Sequence, residues 1–139
     1  QPMGGRVWQV TGIIPVALVY GLCGMGWLIV LGTTFLINHF DLFGLRQVWL
    51  YLWDREYTKL AVVTPGLYRV VRHPLYLGFM LAFWATPTMT VAHLIFALGT
   101  TVYMLGAVRL EERDLVESYG DVYKVYARQV PMLVPFLRR

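Results

Sequence analysis

The stretch that decides the fold is PLYLGFMLAFWATPTMTVAHLIFALGTTVYMLGAV, residues 74–108. It holds no Asp, Glu, Lys or Arg in thirty-five residues, and RVVRH (69–73), with two arginines and a histidine, stands directly before it. As one helix it would be ~52 Å long at 1.5 Å per residue. That is too long for one passage through a hydrocarbon layer ~30 Å thick. Pro87 resolves the excess: it pushes Thr86 out of helical geometry, and the threonines on either side suit a turn. The stretch therefore reads as a tight transmembrane hairpin with arms at 74–86 and 89–108, the first arm only ~20 Å long.

Outward from the hairpin, a second uncharged run extends from Val7 to Phe40, interrupted only by His39. It exceeds the ~7–15 apolar residues of a signal-peptide core and predicts a transmembrane helix over 11–38. The composition agrees, with 58% hydrophobic and 14% charged residues against about 25% charged in soluble domains. The expected fold class is all-α: an integral membrane helical protein of about three transmembrane helices, with interfacial and cytosolic C-terminal helices. The 139 residues form a single membrane-embedded domain, with no repeat, low-complexity segment or strand pattern. Because the chain opens on Gln1, further helices are expected upstream of it.

Charge sets the orientation. Eleven of the twelve Lys and Arg residues lie in 46–72 or 109–139, and only Arg6 lies elsewhere. The positive-inside rule makes loop 39–73 and tail 109–139 cytosolic. LRQVWLYLW (45–53) carries the Trp and Tyr residues that suit a membrane interface. The tail is predicted to continue the last helix to about Tyr119 and to break at Gly120. It restarts with Asp121 as N-cap and ends near Val130–Pro131. GLCGMG (21–26) lacks the spacing of a nucleotide loop and reads as helix packing, as does the lone Cys23.

Two clusters could carry chemistry. Pro74 at the first helical position makes His73 an N-cap-like residue, and a helix N-terminus attracts anions through its free N–H groups and dipole. Arg69, Arg72 and His73 add charge there. The plain alternative is topological anchoring, which accounts for the arginines but not for His73, Tyr76 or Gly78. Opposite in sign, Glu111 and Glu112 sit near the cytosolic end of the last helix, against its dipole. Their compensation comes either from Arg109 and Arg113 or from a ligand cation or ribose. Tyr119, Tyr123 and Tyr126 share one helical face if the break at Gly120 is mild, suited to a sulfonium or a purine, or to a headgroup belt. S-adenosylmethionine has a carboxylate, an ammonium, a ribose, an adenine and a cationic sulfur, and so would use all of these groups.

TPGLYRVVRHPLYLG, RLEERDL and YGDVYKVYARQVPMLVP resemble, in that order, the C-terminal core of the isoprenylcysteine carboxyl methyltransferase-like family of integral membrane enzymes. The likeness covers about 64–136. It implies S-adenosylmethionine as cofactor and S-adenosylhomocysteine as product. Tyr68, Arg72, His73 and Tyr76 would form one wall of the cofactor site, and Glu111, Glu112, Tyr123 and Tyr126 the other, closed by the tail. TTFLINHFDLFGLRQVW (33–49) and FWATPTMTVAH (83–93) are similar to a bacterial branch that methylates methanethiol to dimethyl sulfide. That similarity implies a small thiol acceptor and a bacterial inner-membrane location. Membrane lipid is the other expected partner, with neither nucleic acid nor an obligate protein partner.

A thiol needs deprotonation or a positive field before it attacks. Asn38, His39 and Asp41 stand where the first helix meets the cytosol, and ionisable groups there are functional candidates. His39 is the expected base, with Asp41 orienting it; the alternative is a helix-ending cap paired with Arg46. Arg109 is the second candidate, stabilising the thiolate. No metal site is expected, since Cys23 and His39 would be ~24 Å apart along one helix. His93 reads as a helix-start residue. Three rival readings remain open: an NADPH-dependent membrane reductase, a module that binds anionic headgroups, and carboxyl methylation of an isoprenylcysteine-type acceptor.

Overall fold

The computed structural model describes residues 4–36, 45–56 and 66–135. Strand β1 (Arg6–Gln9) leads into α1 (Ile13–Leu36), followed by the short α2 (Leu45–Leu52). A 3-10 turn (Gly66–Arg69) precedes α3 (Pro74–Trp84), strand β2 (Thr88–Thr90), α4 (Val91–Tyr119) and α5 (Asp121–Gln129). The chain is mostly helical. Two helices, α1 and α4, are long and apolar enough to cross a membrane, and α3 is a shorter apolar helix of 11 residues. The two long helices bury few of their residues, and their exposed side chains include Ile13, Leu28, Phe35, Ile95, Val102 and Tyr103. Outward-facing apolar groups of this kind are what a hydrocarbon solvent requires.

The core of the arrangement is the crossing of α1 and α3. A Cβ on Gly26 would stand 2.6 Å from Ala82 N and 2.7 Å from the Gly78 carbonyl oxygen. One on Gly78 would stand 2.8 Å from the Gly26 carbonyl oxygen and 2.9 Å from Val30 Cγ2. Two glycines thus bring the backbones together, as expected for helices that associate by packing in lipid. Gly21, Gly24 and Gly32 have open space beside them, so Gly26 alone of that group packs against α3. The numbering runs oppositely in the two helices, and the end of α1 reaches the 3-10 turn, where Leu36 Cδ1 lies 3.7 Å from a Cβ on Gly66. Cys23 is half-buried, its Sγ 3.5 Å from the Ala82 carbonyl, in keeping with packing.

Two expectations are corrected here. The turn at ATPTMT contains a strand: α3 ends at Trp84, and β2 pairs antiparallel with β1 in a two-stranded ribbon, Arg6 opposite Thr90 and Gln9 opposite Thr88. Pro87 holds Thr86 extended, the β-branched threonines suit a strand, and the edge they offer is filled from the other end of the chain. The Trp8 indole donates to the Thr86 carbonyl at 3.2 Å, and Val10 N donates to the Pro87 carbonyl at 2.8 Å. The second correction concerns α5. Its cap is Gly120 rather than Asp121, with a left-handed φ of 57° and ψ of −130°. Asp121 is its first helical residue, and its carboxylate accepts from Lys124 Nζ at 3.0 Å, which lowers its pKa.

At the other helix starts, the Thr90 hydroxyl accepts from His93 N at 3.2 Å and so caps α4. His93 is the helix-start residue its position suggested, with Nε2 2.8 Å from the Phe83 carbonyl oxygen.

Candidate functional site

The site is built where α3 begins. His73 occupies the N-cap position with Pro74 following, but its ring makes no cap hydrogen bond. It is buried (4% exposed) and turns to α4, with Nε2 3.1 Å from Glu112 Oε1 and Nδ1 3.7 Å from Glu111 Oε2. Arg72 Nη1 reaches the same Glu112 oxygen at 2.5 Å. Tyr76, one turn into α3, stands close enough to Glu111 for its hydroxyl to feel that carboxylate. The cationic lip of α3 and the acidic pair of α4 are therefore one cluster. Arg72 and His73 compensate Glu112, while Arg109 turns back to the Leu105 carbonyl at 3.1 Å. The anion expected at the start of α3 is in part the chain's own.

A strap closes over this cluster. After α5 the backbone turns extended at Val130. The Pro131 carbonyl then accepts from Arg72 N at 2.9 Å and the Met132 carbonyl from His73 N at 3.1 Å. The Tyr126 hydroxyl donates to the Tyr68 carbonyl at 2.7 Å, fastening α5 to the 3-10 turn. Tyr123 and Tyr126 are in ring contact at 5.8 Å, but Tyr119 belongs to α4 on the far side of Gly120. The sharp turn there means the three tyrosines do not share one helical face.

Beneath the strap lies a cleft of about 450 Å³, lined by Arg72, Arg109, Glu112 and Arg128 with apolar groups that include Leu105 and Leu133. This is within the range of small-ligand pockets, roughly 300–1,000 Å³. Two buried polar atoms, Arg72 Nε and Tyr123 Oη, have no hydrogen-bond partner among the described residues. The Tyr123 hydroxyl feels the neighbouring Arg72 guanidinium without reaching hydrogen-bond geometry. Burial pushes the Tyr68, Tyr123 and Tyr126 phenols up, Tyr126 to about 12, helped by Glu111 at Tyr68, by Glu112 at Tyr123 and by Tyr123 at Tyr126. All three are neutral donors at physiological pH.

Of the residues singled out in the sequence, Tyr68, Arg72, His73, Tyr76, Glu111, Glu112, Tyr123 and Tyr126 come together around the start of α3. Arg109 lines the cleft beside Arg72. Arg69 is exposed. His39 and Asp41 lie outside the described residues, and no group of three or more His, Cys, Asp or Glu suited to a metal ion occurs among the described ones. Sequence reasoning missed Arg128 and the carbonyls of Pro131 and Met132. Arg128 left a faint signal as a basic residue in the last turn of α5, whereas backbone acceptors leave none.

A family model described as phospholipid methyltransferase matches residues 16–122, most of the chain. The chain belongs to the phospholipid methyltransferase family. Its similarity to curated proteins is high along its whole length. It is 56% identical over 137 residues to a methanethiol S-methyltransferase of Crocosphaera subtropica, covering 99% of this chain and 54% of that protein. It is 49% identical over 139 residues to a methanethiol S-methyltransferase of Mycobacterium tuberculosis, covering all of this chain and 57% of that protein. A protein-S-isoprenylcysteine O-methyltransferase of Schizosaccharomyces pombe is 36% identical over 81 residues, 55% of this chain and 34% of that protein. The chain thus spans about half the length of the curated relatives it matches most fully.

Proposed function

We propose that this chain is the cofactor-holding part of a membrane methyltransferase that uses S-adenosylmethionine to convert methanethiol to dimethyl sulfide. The observation that carries the reading is the pair of unpartnered buried atoms, Arg72 Nε and Tyr123 Oη, beside a carboxylate pair under a backbone strap. Buried donors without partners are costly and mark a place for a polar ligand. An amino-acid carboxylate suits Arg72 and the Tyr123 hydroxyl. A ribose or cationic sulfur suits Glu111 and Glu112, and the faces of Tyr68, Tyr76 and Tyr126 suit an adenine or a sulfonium. The relatives named for thiol methylation and for carboxyl methylation support the same donor chemistry.

The bound cofactor would supply an electrophilic methyl group on a sulfonium. The protein's tasks are then to orient, to exclude water and to manage one proton. Strap 130–134 excludes water above the cluster, which strengthens every charge interaction inside it. As the thiol sulfur forms its bond to the methyl carbon, the thiol proton passes to a base, for which we propose His39, oriented by Asp41. Arg109, in the cleft wall, stabilises the thiolate. A carboxylate acceptor of the isoprenylcysteine type would need no such base, so His39→Ala separates the two acceptors.

The proposed setting is a bacterial inner membrane with three crossings. Strand β1 precedes α1 and strand β2 follows α3, yet the two strands pair. If α1 crosses, α3 must bring the chain back, despite its 11 residues, and α4 then crosses again. This supports a cytosolic site at the start of α3, and the positive-inside rule gives the same side.

The test is thermal unfolding of the detergent-solubilised full-length protein with S-adenosylmethionine, S-adenosylhomocysteine or NADPH, on wild type and Glu111→Ala. A ligand that binds only the folded state raises the apparent midpoint. The expected result is a rise with both adenosyl compounds, lost in Glu111→Ala, together with dimethyl sulfide in the headspace over methanethiol. A rise with NADPH alone would transfer the site to a reductase.

A further inference from the structure

Thr33 is fully buried on α1, and its Oγ1 has no hydrogen-bond partner among the described residues. Its neighbours in kind behave otherwise. Thr34 donates to the Val30 carbonyl at 2.8 Å, Thr100 to the Phe96 carbonyl at 2.8 Å and Thr101 to the Ala97 carbonyl at 2.6 Å. The same backward bond is open in principle to any threonine in a membrane helix, through the carbonyl four residues before it. Thr33 does without it in a place where an unmade hydrogen bond is costly.

Its position is bracketed. Gly26, Val30 and Thr33 are the buried residues of α1, spaced by four and three, and so lie on one face. Val30 meets Gly78, and Leu36 meets Gly66. Thr33 falls between these two levels, opposite the stretch that runs from Tyr68 to His73 and Pro74. Val71, His73 and Pro74 are the buried groups of that stretch. Thr33 thus stands on the α1 face that packs on α3, at the level where α3 begins, and the cluster of Arg72, His73, Glu111 and Glu112 is assembled at that same end of α3.

We infer that the Thr33 hydroxyl is a hydrogen-bond donor to the sulfur of the thiol acceptor, holding it in line with the transferred methyl group. The inference rests on the methyltransferase reading above and deepens it by naming an acceptor-side residue. A thiolate sulfur accepts hydrogen bonds, and a β-branched side chain has a stiff χ1, so the donor direction is set before the acceptor arrives. In the step itself the sulfur–carbon bond to the acceptor forms as the methyl–sulfonium bond breaks. The thiol proton goes to the base, and Thr33 neither gains nor loses one. Strict orientation of a small acceptor needs a fixed polar contact, because a one-carbon thiol offers little surface by which to be held.

Thr33→Val keeps the shape and removes the hydroxyl, while Thr33→Ser keeps the hydroxyl. The full-length protein carrying each change is assayed for thermal midpoint, for the shift produced by S-adenosylhomocysteine, and for dimethyl sulfide formed at varied methanethiol. Thr33→Val is expected to unfold at a higher temperature than wild type, to keep the S-adenosylhomocysteine shift, and to lose about tenfold in kcat/KM for the thiol. Thr33→Ser is expected to retain most of the activity. A valine variant that methylates at the wild-type rate overturns the inference, as does one that loses stability and activity together while the serine variant does the same. A wild type that shifts with S-adenosylhomocysteine but forms no dimethyl sulfide overturns the thiol acceptor itself, and the role of Thr33 with it.

Discussion

Gly26→Ala puts one methyl group where the α1–α3 crossing has no space for it. The new carbon would stand 2.6 Å from Ala82 N and 2.7 Å from the Gly78 carbonyl oxygen, against 3.4 Å for the near edge of ordinary contact. Both obstacles are backbone, so no side chain can rotate out of the way, and the helices must part by about 0.8 Å. A gap of that size forfeits about a quarter to a half of the dispersion energy of each atom pair across it. Overpacked interiors typically lose about 1–3 kcal/mol, and with both obstacles rigid we expect about 2 kcal/mol. Gly24→Ala, two residues away, meets nothing within 4 Å; it should be neutral, or gain up to about 1 kcal/mol from helix propensity. Denaturant unfolding of the three detergent-solubilised proteins measures the difference. The same displacement shifts the end of α1 against the 66–74 segment, so activity should fall further than stability does. Equal unfolding midpoints for Gly26→Ala and wild type would refute the packing argument, as would an equal loss in Gly24→Ala.

Further outcomes follow from the site and its supports. Glu112→Ala leaves Arg72 and His73 without their shared carboxylate and should cost about 3 kcal/mol in denaturant unfolding, since one half of a largely buried pair is stranded. Tyr126→Phe removes the bond to the Tyr68 carbonyl and should cost about 1 kcal/mol near pH 7. The same change alters the alkaline limb. With the folded phenol pushed up to about 12, above its unfolded value near 10, the unfolded chain loses its proton first. Stability is thus fully present below pH 10 and declines from about 10 to 12; the decline should be shallower in Tyr126→Phe when unfolding is followed against pH. Trp84→Phe breaks the indole bond to Thr101 Oγ1 at 2.9 Å. That hydroxyl keeps its own bond to the Ala97 carbonyl, so thermal unfolding should show a loss of only about 0.5–1 kcal/mol.

What could be read in advance was what local chemistry decides. The helix start at His73–Pro74, the long last helix ending at Tyr119 and the break at Gly120 all carry short-range signals in proline, glycine and charge. The facing of Arg72 with Glu112 was half legible: each side was conspicuous as a charge out of place, but 40 positions of chain separate them and spacing cannot pair them. The β ribbon was illegible because β2 has three residues, too few for an alternation to register, and its partner lies near the other end of the described chain. Thr33 passed unnoticed for a different reason. A threonine in an apolar helix normally bonds its own backbone, and only the packed structure leaves this one without that bond. Arg128 and the strap carbonyls were missed because closure is written in main-chain geometry, to which side-chain patterns are blind.

That last point bears on how such a site can change over time. The two bonds that seal the strap join the amides of residues 72 and 73 to the carbonyls of 131 and 132. Every residue has a carbonyl and every residue but proline has an amide hydrogen, so the seal does not depend on which side chains stand at these positions. Shape and chemistry are thereby uncoupled at the point where they meet. Arg72 and His73, exchanged together with their partner Glu112, can be replaced to suit a different acceptor or donor while these two main-chain bonds stay in place. A chain built this way can diversify its reaction without first having to refold.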